Sequence, residues 1–332
     1  LVGSEMCIRD RFTLQGEWVG FVDRQVIPYD GTLLYIKSRR VDLVVTPDHK
    51  MFNAERPHIK KGHEVFPTRH FFWSAHDTAE YLRRGNRLQQ VSAATCSGNK
   101  GTSTTRELNL ARLMGLHIGD GSIQRNGSNN AVNSLVFSFA KQRKRDYLEN
   151  LIEALDIDHF TYDEKPSNPA HNARKKYRLV SKWLLAEMEW FHDKKTHTKS
   201  FPPGVFDWPE DRKRALLEGL LESDGHKIKN GNLFVYSTVS PQLARDIERL
   251  AIELGYTTKQ TNRRREYKGK VTRRQYEVSL LDKSPYKTIK KNHVSEGAYK
   301  GFVYDVTLEK NHILLVRRNG RSIFSGNCGT LN

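Results

Sequence analysis

The chemistry that this sequence can support begins with two aspartates, Asp120 and Asp224, which stand near the ends of two similar stretches, residues 113–121 and 217–225. Each stretch is predicted to be an apolar helix that stops at Asp-Gly. If the two helices cross, both carboxylates lie at helix C-termini, where each faces the charge of the other and the negative end of a helix dipole. A bound divalent cation would remove this conflict. The pair therefore predicts a metal site.

Several local signals indicate how the chain positions these aspartates. Small residues four apart lie on one helical face, where two backbones can approach closely; these are Gly115 with Gly119 and Gly219 with Ser223. Capping residues are predicted before both helices, namely Thr104 with Glu107 and Asp207 with Glu210. Gly121 and Gly225 are typical of helix stops that need a left-handed residue.

The segments after the two Asp-Gly pairs are also alike. Each continues with a strand, an amphipathic helix and two further strands. In the first repeat these are residues 134–139, 147–155, a strand around Phe160 and 177–180, and in the second they are 233–238, 243–254, 257–261 and 275–281. Two unrelated amphipathic helices with ordinary Asp-Gly turns are the alternative interpretation. The repetition of the whole pattern favours a duplicated unit.

The two nonapeptides resemble the paired signature helices of LAGLIDADG (DOD-type) homing endonucleases. The resemblance implies a two-repeat αββαββ domain, monomeric with internal pseudo-twofold symmetry, in which Asp120 and Asp224 hold Mg²⁺ or Mn²⁺ while a long, specific site in double-stranded DNA is cut. The family also places a lysine near the attacking water. Residues 195–202 resemble that segment, with Lys195 as the first candidate and Lys199 as the reserve.

The charge of the chain agrees with a polyanionic partner. Lys and Arg number 55 against 38 Asp and Glu, a net charge of +17, and nucleic acid is the first candidate for such a field. Cations clustered on the later strands of each repeat are expected to contact DNA along a groove: Arg174, Lys176, Arg178, Lys259, Arg263, Arg264, Arg265, Arg273 and Arg274. A solvated hairpin tip is the alternative for several of them. Three cysteines form neither a disulfide framework nor a zinc pattern, and no membrane partner or signal peptide is expected, which favours a prokaryotic or phage-encoded cytoplasmic protein.

β-like segments flank the repeats on both sides, with turn residues at Asp30-Gly31 and a two-residue hairpin signal at Asn319-Gly320. These segments also carry a second resemblance. Thr46 and His49 resemble the Thr-x-x-His motif of inteins, residues 303–312 their penultimate motif, and residues 325–328 an intein end followed by the first host residue. The resemblance implies a role in protein splicing for Thr46, His49, Asp305, His312, Asn327 and Cys328. Asn327 would cyclise through its side-chain amide and Cys328 would be a thiol nucleophile. Gly326 stands where the family usually has a histidine.

These observations together predict an α+β chain in which the endonuclease domain is inserted into an all-β Hint (intein splicing) domain. The expected boundaries are an artefactual leader at 1–11, a truncated N-terminal Hint part with linker at 12–102, the endonuclease at 103–292 with repeats at about 103–206 and 207–292, the C-terminal Hint part at 296–327, and host residues, the extein in cis, at 328–332. Two other functions stay open. One is a DNA-binding protein of this fold that no longer cuts, and the other is a self-cleaving intein whose nuclease is a relic.

Overall fold

The computed structural model describes residues 10–12, 18–54, 70–91, 101–127, 129–164, 173–227, 234–264, 266–267, 270–281, 286–308 and 313–326. Its fold mixes α and β structure. Among the helices of these residues, none combines the length and the apolar character that crossing a membrane requires.

The helices, in chain order, are α1 (Ala75–Arg83), α2 (Thr105–Asp120), α3 (Gln142–Leu155), α4 (Lys182–Glu187), α5 (Glu210–Ser223) and α6 (Pro241–Glu253). The strands are β1 (Asp10–Phe12), β2 (Trp18–Lys37), β3 (Asp42–Val45), β4 (Lys50–Ala54), β5 (His70–Ser74), β6 (Arg87–Val91), β7 (Ser122–Arg125), β8 (Val132–Phe139), β9 (His159–Glu164), β10 (Arg174–Leu179), β11 (Gly225–Lys227), β12 (Phe234–Thr238), β13 (Thr258–Arg263), β14 (Glu266–Tyr267), β15 (Lys270–Val271), β16 (Gln275–Leu280), β17 (Tyr286–Lys290), β18 (Val294–Leu308), β19 (Ile313–Arg318) and β20 (Arg321–Gly326).

The chain divides into two compact units. The first comprises residues 1–97, 251–261 and 280–332, and the second comprises 98–250 and 262–279. Residues 251–261 and 280–292 therefore belong to the first unit, whereas the sequence interpretation assigned them to the endonuclease domain.

The first unit is built mainly from antiparallel strands. β2 pairs with β18 over most of its length and with β3 near its end, while β17, β6, β4 and β5 form a second sheet in that order. β19 and β20 form a hairpin through Asn319-Gly320, both of which have positive φ, so the predicted two-residue turn is confirmed. Alternate apolar residues of these strands pack with α1 in one core, which includes Leu34, Leu43, Met51, Leu82 and Ile323.

The second unit contains one complete α-β-β-α-β-β arrangement and most of a second copy, whose β13 lies largely in the first unit. In the first copy, α2 leads into the antiparallel sheet β7-β8-β10-β9, and α3 lies between β8 and β9 in the chain. In the second copy, α5 leads into β11 and β12, with β16 beside β12. Each sheet starts directly after one of the two aspartates, so the helix ends and the sheets are joined without a linker.

One polar segment of the first unit folds where no element was predicted, and one expected turn is absent. The sequence of residues 73–102 is polar and ends in a stretch with linker character, residues 97–103, and α1 and β6 lie before that stretch. Ser74 caps α1 by accepting a hydrogen bond from the Asp77 amide at 3.0 Å, and Ala75, Ala79 and Leu82 on one face of the helix are buried, which explains why this polar segment folds. A turn was also expected at Asp30-Gly31, but β2 continues through it beside β18.

Two predictions about the helix ends are also wrong. The predicted capping box of Thr104 and Glu107 is present on α2, but α5 begins after Pro209 without a side-chain cap, and Asp207 lies in a short 3₁₀ turn, Val205–Asp207. Gly121 has φ −81°, so it is not left-handed. Glycine is needed there for space, because a Cβ would lie 2.1 Å from His117 Nδ1.

Candidate active site

The two signature helices, α2 and α5, pack directly against each other through their small residues. A Cβ on Gly115 would lie 2.4 Å from the Leu216 carbonyl oxygen, and one on Gly219 would lie 2.0 Å from the Arg112 carbonyl oxygen. At the C-terminal end, a Cβ on Gly119 would lie 2.1 Å from Ser223 Oγ. No side chain fits between the backbones at these points, so the C-termini of the two helices are held together.

Polar contacts fix the N-terminal ends of the same helices. The Ser103 amide and hydroxyl each donate to the Asp211 carboxylate at 2.8 Å, which joins the start of α2 to the first turn of α5. Halfway along, Arg112 Nε donates to Glu218 Oε2 at 2.9 Å. The crossing of α2 and α5 is therefore set by the close approach of their backbones and by these hydrogen bonds.

The carboxylates of Asp120 and Asp224 share one electrostatic environment. Asp224 is an exposed residue. Desolvation of its carboxylate by the surrounding protein, and next the charge of Asp120, raise its pKa, while the ammonium groups of Lys144 and Lys199 lower it. Lys144 Nζ contacts the Asp120 carboxylate and donates to the Ser223 carbonyl oxygen at 2.6 Å. A cationic group thus already bridges the two helix ends, which is what paired carboxylates at helix C-termini require.

Lys199 approaches the end of α2 from the segment between the two repeats. Its Nζ lies 2.7 Å from the Ile118 carbonyl oxygen and 3.2 Å from that of Gly121. Burial lowers the pKa of Lys199, and the charges of Asp224 and Asp120 act in the opposite direction. Lys195, the first candidate from the sequence, has an exposed side chain, and its main chain forms a turn with Thr198. The geometry therefore favours Lys199.

The segment that carries Lys199 is anchored to α6. Ser240 Oγ donates to the Lys199 carbonyl oxygen at 2.6 Å, and the Phe201 amide donates to Asp246 Oδ2 at 2.9 Å. Asp246 is buried, which raises its pKa, and it also accepts a hydrogen bond from Gln242 Nε2 at 2.7 Å. These contacts fix the main chain at Lys199 and at Phe201, and so hold the lysine in place.

Beside Lys199 and Asp224 lies a cavity of about 160 Å³. Its wall also includes Tyr236 and Thr238. Tyr236 is fully buried, and burial together with the charge of Asp224 raises the pKa of its phenol well above the usual value. A space of this size next to a carboxylate can hold several water molecules.

His117 lies on the inner side of α2, one turn before Asp120. It is buried against the rings of Phe137 and Phe191, and burial lowers its pKa to about 3. It is therefore neutral near pH 7 and contributes packing to the helix end.

The basic residues predicted for the first repeat share one open face of its sheet. Along β10, Tyr177 and Leu179 are buried while Arg174, Lys176 and Arg178 alternate with them on the other face. Tyr177 donates from its hydroxyl to Glu149 of α3 at 2.6 Å, so α3 covers the buried face. The cations remain on the side that no helix of the described first repeat covers.

The basic residues predicted for the second repeat are more dispersed. Lys259 and Arg263 lie on β13, Arg263 contacts Glu277, and Arg264, Arg273 and Arg274 are exposed. Arg265 is outside the described residues.

In the first unit, the residues predicted for protein splicing are partly brought together. The amide of His49 donates to the Thr46 carbonyl oxygen at 3.2 Å, and His49 Nε2 lies 2.8 Å from Ser325 Oγ. Burial lowers the pKa of His49 to about 3, whereas burial raises the pKa of Asp305, which accepts a hydrogen bond from the Val306 amide at 2.9 Å. His312, Asn327 and Cys328, which were also predicted to act in splicing, lie outside the described residues.

Lys144 was not predicted from the sequence to lie at the site. Its position in the first turn of α3, after β8, is the only signal in the sequence, and it does not say which carboxylate the ammonium meets. Lys199 was recognised only as a reserve, because two lysines in one short segment cannot be distinguished before the chain folds.

Known proteins resemble this chain over part of its length. A family model described as a LAGLIDADG-like domain matches residues 211–293. The ATP-dependent DNA helicase Hel308 of Thermococcus kodakarensis is 28% identical over 219 residues, which are 63% of this chain and 18% of that protein. The chain thus spans less than a fifth of the length of this relative.

Solved structures with similar folds include two LAGLIDADG proteins. The N-terminal LAGLIDADG domain of DUF199/WhiA has a TM-score of 0.35 at 13% identity, covering 54% of this chain and 77% of that one. Mesophilic variants of the homing endonuclease I-DmoI have a TM-score of 0.38 at 17% identity, covering 53% and 90%. I-DmoI in complex with DNA and Mn has a TM-score of 0.36 at 16% identity, with the same coverage.

The family match includes nearly all of α5 and the aspartate that follows it, Asp224. Residues 211–293 of this chain are therefore similar to a LAGLIDADG-like domain.

Proposed function

We propose that the second unit is a homing endonuclease that makes a metal-dependent double-strand cut in a long, specific DNA site. The observation that carries this proposal is the side-chain-free crossing of α2 and α5, which sets Asp120 and Asp224 in one electrostatic environment beside two lysines. Such an arrangement is costly for stability alone, because it concentrates carboxylates at negative helix ends. It is useful where a cation and an anionic substrate must meet.

The donor atoms at this site fit Mg²⁺ or Mn²⁺. Asp120 and Asp224 would hold the ion, and phosphate and water oxygens would complete its ligands, as is usual for Mg²⁺. Within the residues that the structure describes, no group of three or more His, Cys, Asp and Glu side chains is placed so that it could hold a metal ion. When bound, the ion supplies charge neutralisation at the phosphate and activation of water.

The lysines would act on the proton and on the phosphate charge. Burial lowers the pKa of Lys199, and its Nζ would assist deprotonation of the attacking water. The ammonium of Lys144 would balance the carboxylate pair before DNA arrives. The cavity beside Asp224 would provide the space for water, and the wall of Tyr236 and Thr238 would limit where it can sit.

The basic sheet faces would bind the DNA. Lys176 and Arg178 on β10, with the exposed arginines 263, 264, 273 and 274 of the second repeat, would contact phosphates and base edges. Phosphate contacts set the register and base contacts set the sequence. We propose that each repeat reads one half of the site.

The test is cleavage of a randomised duplex library by the full chain with Mg²⁺ or Mn²⁺, followed by sequencing of the cut ends. We expect cutting within a defined sequence, and none by Asp120→Asn or Asp224→Asn, which keep the volume of the side chain but remove its charge. Asp193→Asn is the matched control, because Asp193 is an exposed carboxylate paired with Arg125 at 2.7 Å. Selective DNA binding without cutting across a series of divalent metals would instead support a DNA-binding protein of the same fold.

A second function, autocatalytic peptide cleavage by the first unit, is favoured by one contact. His49 and Ser325 are far apart in the chain, yet their side chains lie 2.8 Å apart, which brings the Thr46–His49 turn to the strand that ends two residues before Cys328. The side-chain amide of Asn327 would attack its own carbonyl carbon, forming a succinimide and releasing the amine of Cys328. Mass spectrometry of a chain extended past Asn332 tests this. We expect a product that ends at Asn327 and its loss in Asn327→Ala, and an intact extended chain would refute it.

A further inference from the structure

Two exposed aromatic rings stand on the open face of the first repeat's sheet. Phe160 is 62% exposed and Tyr162 is 44% exposed, and both lie on β9, the edge strand of the order β7-β8-β10-β9. Single exposed apolar residues are common, but two on alternate positions of one strand form a small patch. Rings as exposed as these contribute little to the core, and Phe160 is more than half exposed, so core packing does not explain this pair.

The patch lies among the cations that face the proposed DNA. In the antiparallel register, Phe160 is opposite Arg178 and Tyr162 is opposite Lys176, and cross-strand partners lie on the same face of a sheet. Lys176 Nζ lies 5.5 Å from the centroid of the Tyr162 ring, so Tyr162 has a cationic neighbour. Arg178 Nε instead reaches toward Ser134 Oγ at 3.4 Å, away from β9, which leaves the Phe160 ring open.

The chemistry of this patch differs from that of the cations around it. Lys and Arg recognise phosphates and guanine edges, whereas an apolar ring can make a favourable contact with the C5-methyl group of thymine in the major groove. Charge alone cannot distinguish thymine from a pyrimidine without that methyl group. An aromatic edge beside a cationic strand can combine both kinds of contact.

We propose that Phe160, with Tyr162 beside it, reads thymine C5-methyl groups in the half-site bound by the first repeat. This inference rests on the proposed function, because it assumes that the open sheet face binds DNA. It adds a specificity element that is apolar. The methyl group lost in uracil is comparable to one CH₂ group, so each contacted thymine is expected to change binding about fourfold.

The experiment compares thymine with uracil in an otherwise identical duplex. A duplex selected from a randomised library by the full chain in Ca²⁺ is synthesised once with dT and once with dU at every position, and then with single dT-to-dU replacements. We expect the wild-type chain to bind the dU duplex about four- to sixteenfold more weakly, for one or two contacted methyl groups. One or two positions, all within the same half of the site, should account for the loss.

The variants connect the effect to the ring. Phe160→Ala should bind dT and dU duplexes equally, and Phe160→Leu, which keeps an apolar side chain, should retain part of the difference. Thr161→Ala is the matched control, since Thr161 is exposed on the same strand but lies on its other face, and it should discriminate as the wild type does. Thermal unfolding of each variant shows whether β9 remains folded.

Three results would overturn the inference. Equal binding of dT and dU duplexes by the wild-type chain would show that no methyl group is read, while sequence-selective binding of both would leave the proposed function intact. Discrimination that persists in Phe160→Ala would assign the methyl contact to another residue. Failure of the library to yield any bound duplex would refute the DNA-binding function and this inference together.

Discussion

The substitution Gly219→Ala tests the helix crossing on which the active site depends. The added Cβ would lie 2.0 Å from the carbonyl oxygen of Arg112. Real Cβ atoms essentially never lie closer than 3.0 Å to such a neighbouring atom. The neighbour is backbone and cannot rotate away, so α2 and α5 must separate by about 1 Å. Overpacking of this kind costs up to about 3 kcal/mol, and alanine returns about 1 kcal/mol through its higher helix propensity.

The net loss of about 2 kcal/mol should lower the Tm by roughly 4–8 °C for a unit of this size. The functional loss should be larger, because a displacement of about 1 Å in a reacting group can reduce the rate about 100-fold. We would follow unfolding by calorimetry, carboxylate–metal binding by Tb³⁺ luminescence, and cleavage of the selected duplex. Gly127→Ala is the control, since a Cβ there meets nothing within 4 Å. A Gly219→Ala chain with the Tm, the Tb³⁺ affinity and the cleavage rate of the wild type would refute the close crossing.

Three further outcomes follow from the charges around the site. Lys199→Met should reduce the single-turnover cleavage rate at least about 100-fold, as expected for loss of a general acid–base group, while Lys195→Met should cleave at the wild-type rate. A large loss in Lys195→Met and none in Lys199→Met would instead identify Lys195 as the active-site lysine. Lys144→Met should raise the pKa of Asp224 further, because the ammonium of Lys144 lowers that pKa. In an NMR titration without metal, the midpoint of the Asp224 carboxyl should therefore move to higher pH. An unchanged midpoint would show that the charge of Lys144 does not act on Asp224. His117, whose pKa is lowered to about 3, binds a proton more readily when unfolded, so its contribution to stability is present above the unfolded pKa of about 6.5 and is lost as the pH falls toward 3. Between pH 7 and pH 5, this effect lowers the free energy of unfolding by about 2 kcal/mol. The His117→Phe variant should lose less stability over that interval than the wild type, and equal losses would contradict the lowered pKa of His117.

The sequence by itself determined the repeated architecture. The two stretches, near whose ends Asp120 and Asp224 stand, each have a helical periodicity and a face of small residues. These patterns predict the helices because each depends only on residues within a few turns of chain. The hairpin at Asn319-Gly320 was predictable for the same reason, since a two-residue turn depends on the φ angles of its own residues. The capping box on α2 belongs to this class as well.

The tertiary structure decided which distant groups meet. Nothing local distinguishes Lys199 from Lys195, or tells that Lys144 reaches Asp120 and that His49 reaches Ser325, because each contact joins residues separated by loops whose paths the sequence does not specify. The same holds for Gly121, where glycine serves close packing on His117 instead of a left-handed turn, and for α1, whose polar sequence folds because one face finds a core. Periodicity and turn chemistry act within a few residues, whereas burial, charge pairing and pKa shifts depend on all the atoms that the fold assembles around a group.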